Sequence, residues 1–238
     1  MTGPDPTGQN RPGKRPVRSF VIRGGRLTSA QEKALDQLWP QFGIDSEKNR
    51  GRLSFTELFG REAPVIVEIG FGNGDATWQT AVAYPEQDFI GIEVHRPGVG
   101  RLLMALEEKE IPNVRIACED AVEFMAECIP PASLAGIRIY FPDPWPKKRH
   151  HKRRIIQPPF VKQLASCMKP GAILHLATDW APYAEHMTEV LSSSDQFRNR
   201  AKEGVYCPRP DWRPQTHFET RGQRLGHDVF DLLYERRA

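Results

Sequence analysis

Residues 141–154 read FPDPWPKKRHHKRR. One carboxylate, Asp143, stands between Pro142 and Pro144 and is followed by Trp145; then come eight residues, six of them Lys or Arg and two His. Proline fixes φ on either side, so the aspartate sits in a stiff turn. A carboxylate held in place can stabilise positive charge that develops on a reacting group. The run Lys147, Lys148, Arg149, His150, His151, Lys152, Arg153 and Arg154 can hold a polyanion through its phosphates without reading its sequence. Trp145 either stacks on a base exposed from a folded RNA or packs beneath the loop. His150 and His151 belong with the basic surface, because no carboxylate or cysteine is spaced to complete a metal site, and no metal is expected. A charge run of this kind is by default a solvated face, so the rest of the chain has to decide.

A second constellation is EIGFGNGD, residues 68–75. Gly70, Gly72 and Gly74 permit a tight turn and a close approach of ligand to backbone. A dinucleotide fingerprint wants a third small residue at 75, where this chain has the anionic Asp75, and no phosphate-binding G-x-x-x-x-G-K-[ST] occurs. The loop is therefore poorly suited to NAD or ATP. Acids surround it instead. Glu93, 25 residues beyond Glu68, can accept hydrogen bonds from both ribose hydroxyls. Asp120 can accept from an exocyclic adenine amine, and Glu68 favours an ammonium or sulfonium cation. S-adenosylmethionine combines an adenosine, a ribose diol and such cations with no phosphate, and is the expected cofactor.

The elements that must position these residues follow from the apolar pattern. VIVEI (65–69), DFIGIEV (88–94), VRIAC (114–118), GIRIYF (136–141) and AILHLAT (172–178) read as buried strands. Helical periodicity lies between them over 75–84, 98–110, 121–129 and 160–168, the last helix stopped by Lys169-Pro170-Gly171. Another helix is expected to start near Ser29, with Ser29 and Glu32 as a capping box. A helix spans Ala181 to Leu191, with Asp179 able to cap it, and VFDLLYE (229–235) reads as a last strand. This alternation predicts an α/β fold with a mostly parallel sheet and helices on both faces. Ligands of such sheets bind beyond the carboxyl ends of the strands. The five strand ends carry Glu68, Glu93, Asp120, Asp143 and Asp179. One acid would be a helix cap; an acid at every strand end is hard to attribute to capping alone.

The 238 residues fit one domain, and Met1–Arg26 holds six Lys or Arg against one acid. Residues 1–26 are expected to be a disordered basic extension, and 27–238 a single domain with an N-terminal helical segment. The net charge of +3 is small, so it is the two basic clusters that point to nucleic acid. Neither a membrane-spanning run nor a signal peptide is visible, and the four scattered cysteines fit reduced thiols, which together predict a cytoplasmic protein.

From about Phe55 to Arg236 the chain resembles the bacterial tRNA (guanine-N7)-methyltransferases of the TrmB type. The stretches that carry the resemblance are EIGFGNG (68–74), IGIEVHRPGV (90–99), FPDPWPKKRHHKRR (141–154), ATDWAPY (177–183) and RPQTHFETRGQRLGH (213–227). The resemblance implies a class I S-adenosylmethionine-dependent methyltransferase, a Rossmann-like sheet of seven strands with one antiparallel. It implies methylation of N7 of a guanine in the variable loop of tRNA. The chain itself is expected to act as a monomer or a homodimer, between which the sequence does not choose. Carried over by residue, the resemblance puts the cofactor on Glu68, Glu93, Asp120 and Asp143, with Asp143 catalytic. Lys147, Asp179 and the segment Thr216, His217, Phe218 and Glu219 fall on the RNA, as do Arg149, His150, His151, Lys152, Arg153 and Arg154. His217 departs from the Lys that this segment often carries.

Acceptors such as Asp179 and Glu219 suit the N1–H and amine of guanine, and Thr216 offers a hydroxyl. A methyltransferase acting on amino groups is expected to show N/D-P-P-Y/F where this chain has D-P-W-P. An RNA-binding protein without catalysis would have lost the glycine loop or the strand-end acids, and both are present.

Overall fold

The computed structural model describes residues 18–20, 25–48, 51, 53–215, 219 and 228–238. Of residues 1–26, expected to be disordered, 1–17 and 21–24 lie outside these residues, as do Thr216, His217 and Phe218 with their expected RNA-binding roles. Strands β1 (Val65–Ile69), β2 (Asp88–Ile92), β3 (Val114–Ala117), β4 (Leu134–Tyr140), β5 (Met168–Thr178), β6 (Phe197–Asn199) and β7 (Phe230–Arg236) form one sheet in the order β3-β2-β1-β4-β5-β7-β6. β1 to β5 pair in parallel, whereas β7 runs antiparallel to both β5 and β6. Chain order reverses on either side of β1, so β1 and β4 frame the switch point where open α/β sheets bind ligands.

Helices α1 (Ser29–Gln37), α2 (Trp39–Phe42), α3 (Phe55–Phe59), α4 (Asp75–Ala83), α5 (Arg96–Glu108), α6 (Ala121–Glu127), α7 (Pro158–Cys167) and α8 (Ala181–Ser192) cover the sheet. Because side chains alternate along a strand, both faces of a central strand must be apolar. Val65, Val67 and Ile69 enter a core with residues of α6, α7 and α8, while Ile66 enters a second core with residues of α1, α4 and α5. That is why VIVEI is almost continuously apolar. Its one charged member, Glu68, is the exception, and it lines a cavity at the strand ends.

Several boundaries differ from the sequence expectation. The capping box lies one residue earlier, with Thr28 as N-cap and Gln31 as its reciprocal partner. α5 and α7 begin sooner because Pro97 and Pro158 sit in their first turns, where proline loses no hydrogen bond. Lys169-Pro170-Gly171 is not a loop after a helix. It is a bulge within β5: Leu134 opposes Met168 and Gly136 opposes Ile173, with Gly171 at φ 82°. β6 and the short α2 and α3 lack a periodic run long enough to read.

Candidate active site

A cavity of about 280 Å³ opens at the carboxyl ends of β1, β2 and β4. Among the residues lining it are Glu68, Gly70, Gly72, Glu93, Glu119, Phe141 and Asp143. The glycine turn builds its floor. Gly74 has φ 79° and caps α4, and a Cβ there would stand 2.7 Å from Leu102. Gly98 of α5 matters as much, although nothing in its spacing singles it out: a Cβ there would lie 2.0 Å from the Gly72 carbonyl oxygen. Gly98→Ala is expected to push the loop aside, destabilising the fold by about 1–3 kcal/mol and weakening nucleoside binding, as urea melts and titration calorimetry would record.

The acids are held differently from one another. Glu68 is buried, and one oxygen accepts from the Thr77 hydroxyl at 2.9 Å. Burial raises its pKa, with the charge of Arg138 and the Thr77 hydrogen bond opposing the shift. Glu93 accepts from the backbone N–H groups of Val94 (2.7 Å), His95 (2.9 Å) and Gly72 (2.9 Å), so its carboxylate bridges the end of β2 to the glycine loop. Three bonds leave acceptor capacity for a diol. Asp120 is turned elsewhere: it caps α6 by accepting from Val122 N–H at 2.9 Å, and Glu119 and Ala121 line the cavity at that point. For this residue the capping role is the one observed.

Asp143 lies on the cavity rim, exposed. Phe141 and Trp145, on either side of its turn, both have positive φ, 50° and 46°. For residues with a Cβ such angles are strained by about 1–3 kcal/mol each, and strain of this kind persists where surrounding structure holds it. Trp145 is packed rather than open. Its indole N–H donates to the Ser19 carbonyl at 3.1 Å, and the Arg153 guanidinium lies 4.5 Å from its ring centre. Ser19 and Phe20 reach the cavity wall, a contribution invisible in a segment whose sequence reads as part of a disordered extension.

Lys147, Lys148, Arg149 and Lys152 are exposed, along a 3-10 turn spanning Lys148–Arg153, with His150, His151 and Arg153 half-buried. Partial desolvation and the neighbouring Arg149, Arg153, Lys147 and Lys152 hold His150 below the usual imidazole range. Arg154 is the exception within the run. It is only 3% exposed, which removes it from a phosphate-facing surface. Asp179 is half-buried between β5 and α8, directly before Trp180, the N-cap residue of α8.

Glu219 is likewise placed inside. It is 2% exposed, and its two oxygens accept from Arg213 Nη1 (2.6 Å) and Nη2 (3.1 Å). Arg213 also donates to both oxygens of Asp231 on β7, at 2.7 and 2.9 Å. Asp231 in turn meets His175 Nε2 at 2.7 Å, and Tyr140 meets His175 Nδ1 at 3.0 Å. Burial of a carboxylate is tolerated only when it is paired, and this chain of contacts pairs it. A buried, forked carboxylate is a poor solvent-facing reader of guanine; here Arg213 links Glu219 to Asp231 on β7.

Among the described residues, no group of three or more His, Cys, Asp or Glu could hold a metal ion, and no helix is long and apolar enough to cross a membrane.

Residues 62–232 match the sequence model of a family described as "Putative methyltransferase". A tRNA (guanine-N(7)-)-methyltransferase of Alcanivorax borkumensis is 55% identical over 224 residues, which cover 94% of this chain and 93% of that protein. Another from Aeromonas hydrophila is 53% identical over 222 residues, covering 93% of each. Among solved structures, the 16S rRNA methyltransferase KamB aligns with a TM-score of 0.56 at 14% identity, over 77% of this chain and 93% of that one. The 16S rRNA (adenine(1408)-N(1))-methyltransferase of Catenulisporales acidiphilia aligns with a TM-score of 0.52 at 16% identity, over 82% of this chain and 92% of that one. At these identities the likeness is one of fold, and it agrees with the strand order and the single antiparallel strand. Identity above one half along nearly the whole chain is the stronger finding, and on it the chain belongs to the family of tRNA (guanine-N(7)-)-methyltransferases.

Proposed function

We propose that this protein methylates N7 of a guanine in tRNA, the guanine of the variable loop, using S-adenosylmethionine. One observation carries the reading: the acid-rimmed cavity and the exposed basic turn meet at Asp143. Residues 27–238 form the catalytic domain in this reading, residues 1–26 are a basic extension, and the reaction takes place in the cytoplasm.

The site residues fit the cofactor. Glu93 presents a carboxylate for the ribose diol, the glycine turn allows close approach, and buried Glu68 favours a cation. When bound, S-adenosylmethionine supplies an electrophilic methyl group on a sulfonium and leaves as S-adenosylhomocysteine. Guanine N7 has a lone pair and no proton, so the protein needs no strong general base. Its task is to hold N7 in line with the methyl–sulfur bond at ~3 Å. The methylated base is cationic, and Asp143 stabilises and orients it from the rim. Lys147, Arg149 and Lys152 hold phosphates, with His150, His151 and Arg153 beside them, while Asp179 accepts from the guanine edge. Thr216, His217 and Phe218 also contact the RNA in this reading.

Incubating the protein with labelled S-adenosylmethionine and unmodified tRNA tests the reading, with the product nucleoside identified by mass spectrometry. 7-methylguanosine is the expected product; a different methylated nucleoside would keep the cofactor site and overturn the substrate.

Glu68→Gln separates the cation-binding role from a structural one. The amide keeps an acceptor for the Thr77 hydroxyl but removes the charge that faces buried Arg138, so the melting temperature of the ligand-free protein is expected to fall. Affinity for S-adenosylmethionine should fall about 10-fold. In the parent, burial raises the Glu68 pKa, so acidification protonates the carboxyl and weakens cation binding as pH falls through that raised value. Titration calorimetry across pH should show this component in the parent and not in the variant.

A further inference from the structure

Arg154 closes the basic run, yet its guanidinium is turned inward. Nε donates to the Pro144 carbonyl at 2.9 Å and Nη1 to the Pro182 carbonyl at 3.4 Å, while Nη2 meets His151 Nε2 at 3.2 Å. The guanidinium carbon lies 4.8 Å from the centre of the buried Tyr183 ring. These contacts belong to three segments. Pro144 follows Asp143, His151 lies in the basic turn, and Pro182 and Tyr183 open α8 just after Asp179.

We propose that Arg154 is a positioning residue: it sets the Asp143 turn at a fixed distance from the Asp179 segment, and it does not bind tRNA phosphate. This rests on the reading of Asp143 and Asp179 given above. The physical case is that only a planar fork can reach three partners while stacking on a ring. Lysine offers one compact ammonium and cannot replace it. Among the described residues, those that bond or stack on this guanidinium include no carboxylate, so the buried charge is held by carbonyls, an imidazole and an aromatic face. Such an arrangement costs more than an apolar side chain would, and its return is geometric. The two residues of strained φ, Phe141 and Trp145, bracket the turn that Arg154 grips. A released turn would relax toward ordinary angles and carry Asp143 away, and a displacement of about 1 Å at a reacting group can lower turnover about 10²-fold.

The test compares Arg154→Ala and Arg154→Lys with Lys152→Ala, an exposed neighbour in the same run. It records kcat and KM for unmodified tRNA, the salt dependence of tRNA binding, and the affinity for S-adenosylhomocysteine. For Arg154→Ala we expect kcat to fall about 10²-fold, with cofactor affinity retained within about 3-fold. The slope of log Kd against log salt should stay that of the parent, and added guanidinium ion should restore part of the turnover. Lys152→Ala, the phosphate-binding comparison, should instead lower the slope by about 0.7–0.9. Should the alanine variant fail to fold, Arg154→Lys is read in its place, with about a 10-fold loss of kcat expected.

A reduced salt slope at unchanged kcat would make Arg154 a phosphate ligand and overturn the proposal. So would a parallel loss of cofactor affinity and turnover, the mark of a merely structural role, or a kcat within about 3-fold of the parent. A parent that forms no 7-methylguanosine would instead sink the underlying reading, which the product analysis reveals separately.

Discussion

Asp143→Ala is expected to lower turnover about 10³-fold while S-adenosylhomocysteine still binds and the melting temperature holds. The stability half follows from placement. Asp143 is exposed on the rim, and among the described residues none hydrogen-bonds or ion-pairs with its carboxylate, so removing it strands no buried partner. The catalytic half follows from charge. As the methyl group moves to N7 the guanine becomes cationic, and the loss of a fixed group of opposite charge at a developing charge typically lowers turnover about 10²–10³-fold. Asp143→Asn separates the two contributions of the side chain: an amide keeps the orienting polarity and loses the charge. If stabilisation dominates, Asn is nearly as poor as Ala. Steady-state kinetics on unmodified tRNA, with titration calorimetry for the cofactor product, measures both. Turnover of Asp143→Ala within about 3-fold of the parent would remove Asp143 from the chemistry.

The second large effect is expected from Lys147, Arg149 and Lys152 changed together to Ala. All three are exposed beside the Asp143 turn. Each phosphate that is no longer neutralised should lower the slope of log Kd against log salt by about 0.7–0.9, so three such phosphates give a drop of about 2–3. Affinity for tRNA at low salt should fall by about 10²–10³-fold, with the affinity for S-adenosylhomocysteine unchanged because none of the three lines the cavity. Binding measured at four salt concentrations decides the matter. An unchanged slope would make the turn a solvated face and nothing more. Arg153 is left out of this set because it is held on Trp145 and donates to the Arg18 carbonyl at 3.3 Å, so its loss would disturb the loop as well as the charge.

Much of the fold was legible for a definite reason. A strand buried on both faces needs a run of apolar residues, and VIVEI, DFIGI and GIRIY provide such runs at spacings that leave room for crossover helices. The glycines at 70, 72 and 74 were legible because a turn with φ 75°, 59° and 79° excludes most other residues. What could not be read were features with no periodicity or no local cause. β6 is three residues long and exists because β7 offers it an edge. Gly98 looks like an ordinary helical glycine until the Gly72 carbonyl is placed against it.

The site divides along the same line. Residue type and order alone determined that a carboxylate stands in a stiff proline turn, that acids follow the strands, and that cationic side chains crowd beside the turn. These are properties of covalent neighbours, and proximity along the chain guarantees them. Tertiary structure decided which of these side chains face the ligand. Asp120 and Asp143 both follow strands, yet one is turned to a helix N-terminus and the other to the cavity rim. Arg153 and Arg154 are adjacent, yet one lies over Trp145 and the other is buried between Pro144 and Tyr183. Glu219 reads as an acceptor for guanine until Arg213 takes both of its oxygens. The direction of a side chain depends on partners brought together from distant segments, Asp231 and Tyr183 among them, and the energy of those contacts exists only once the sheet and its helices have packed.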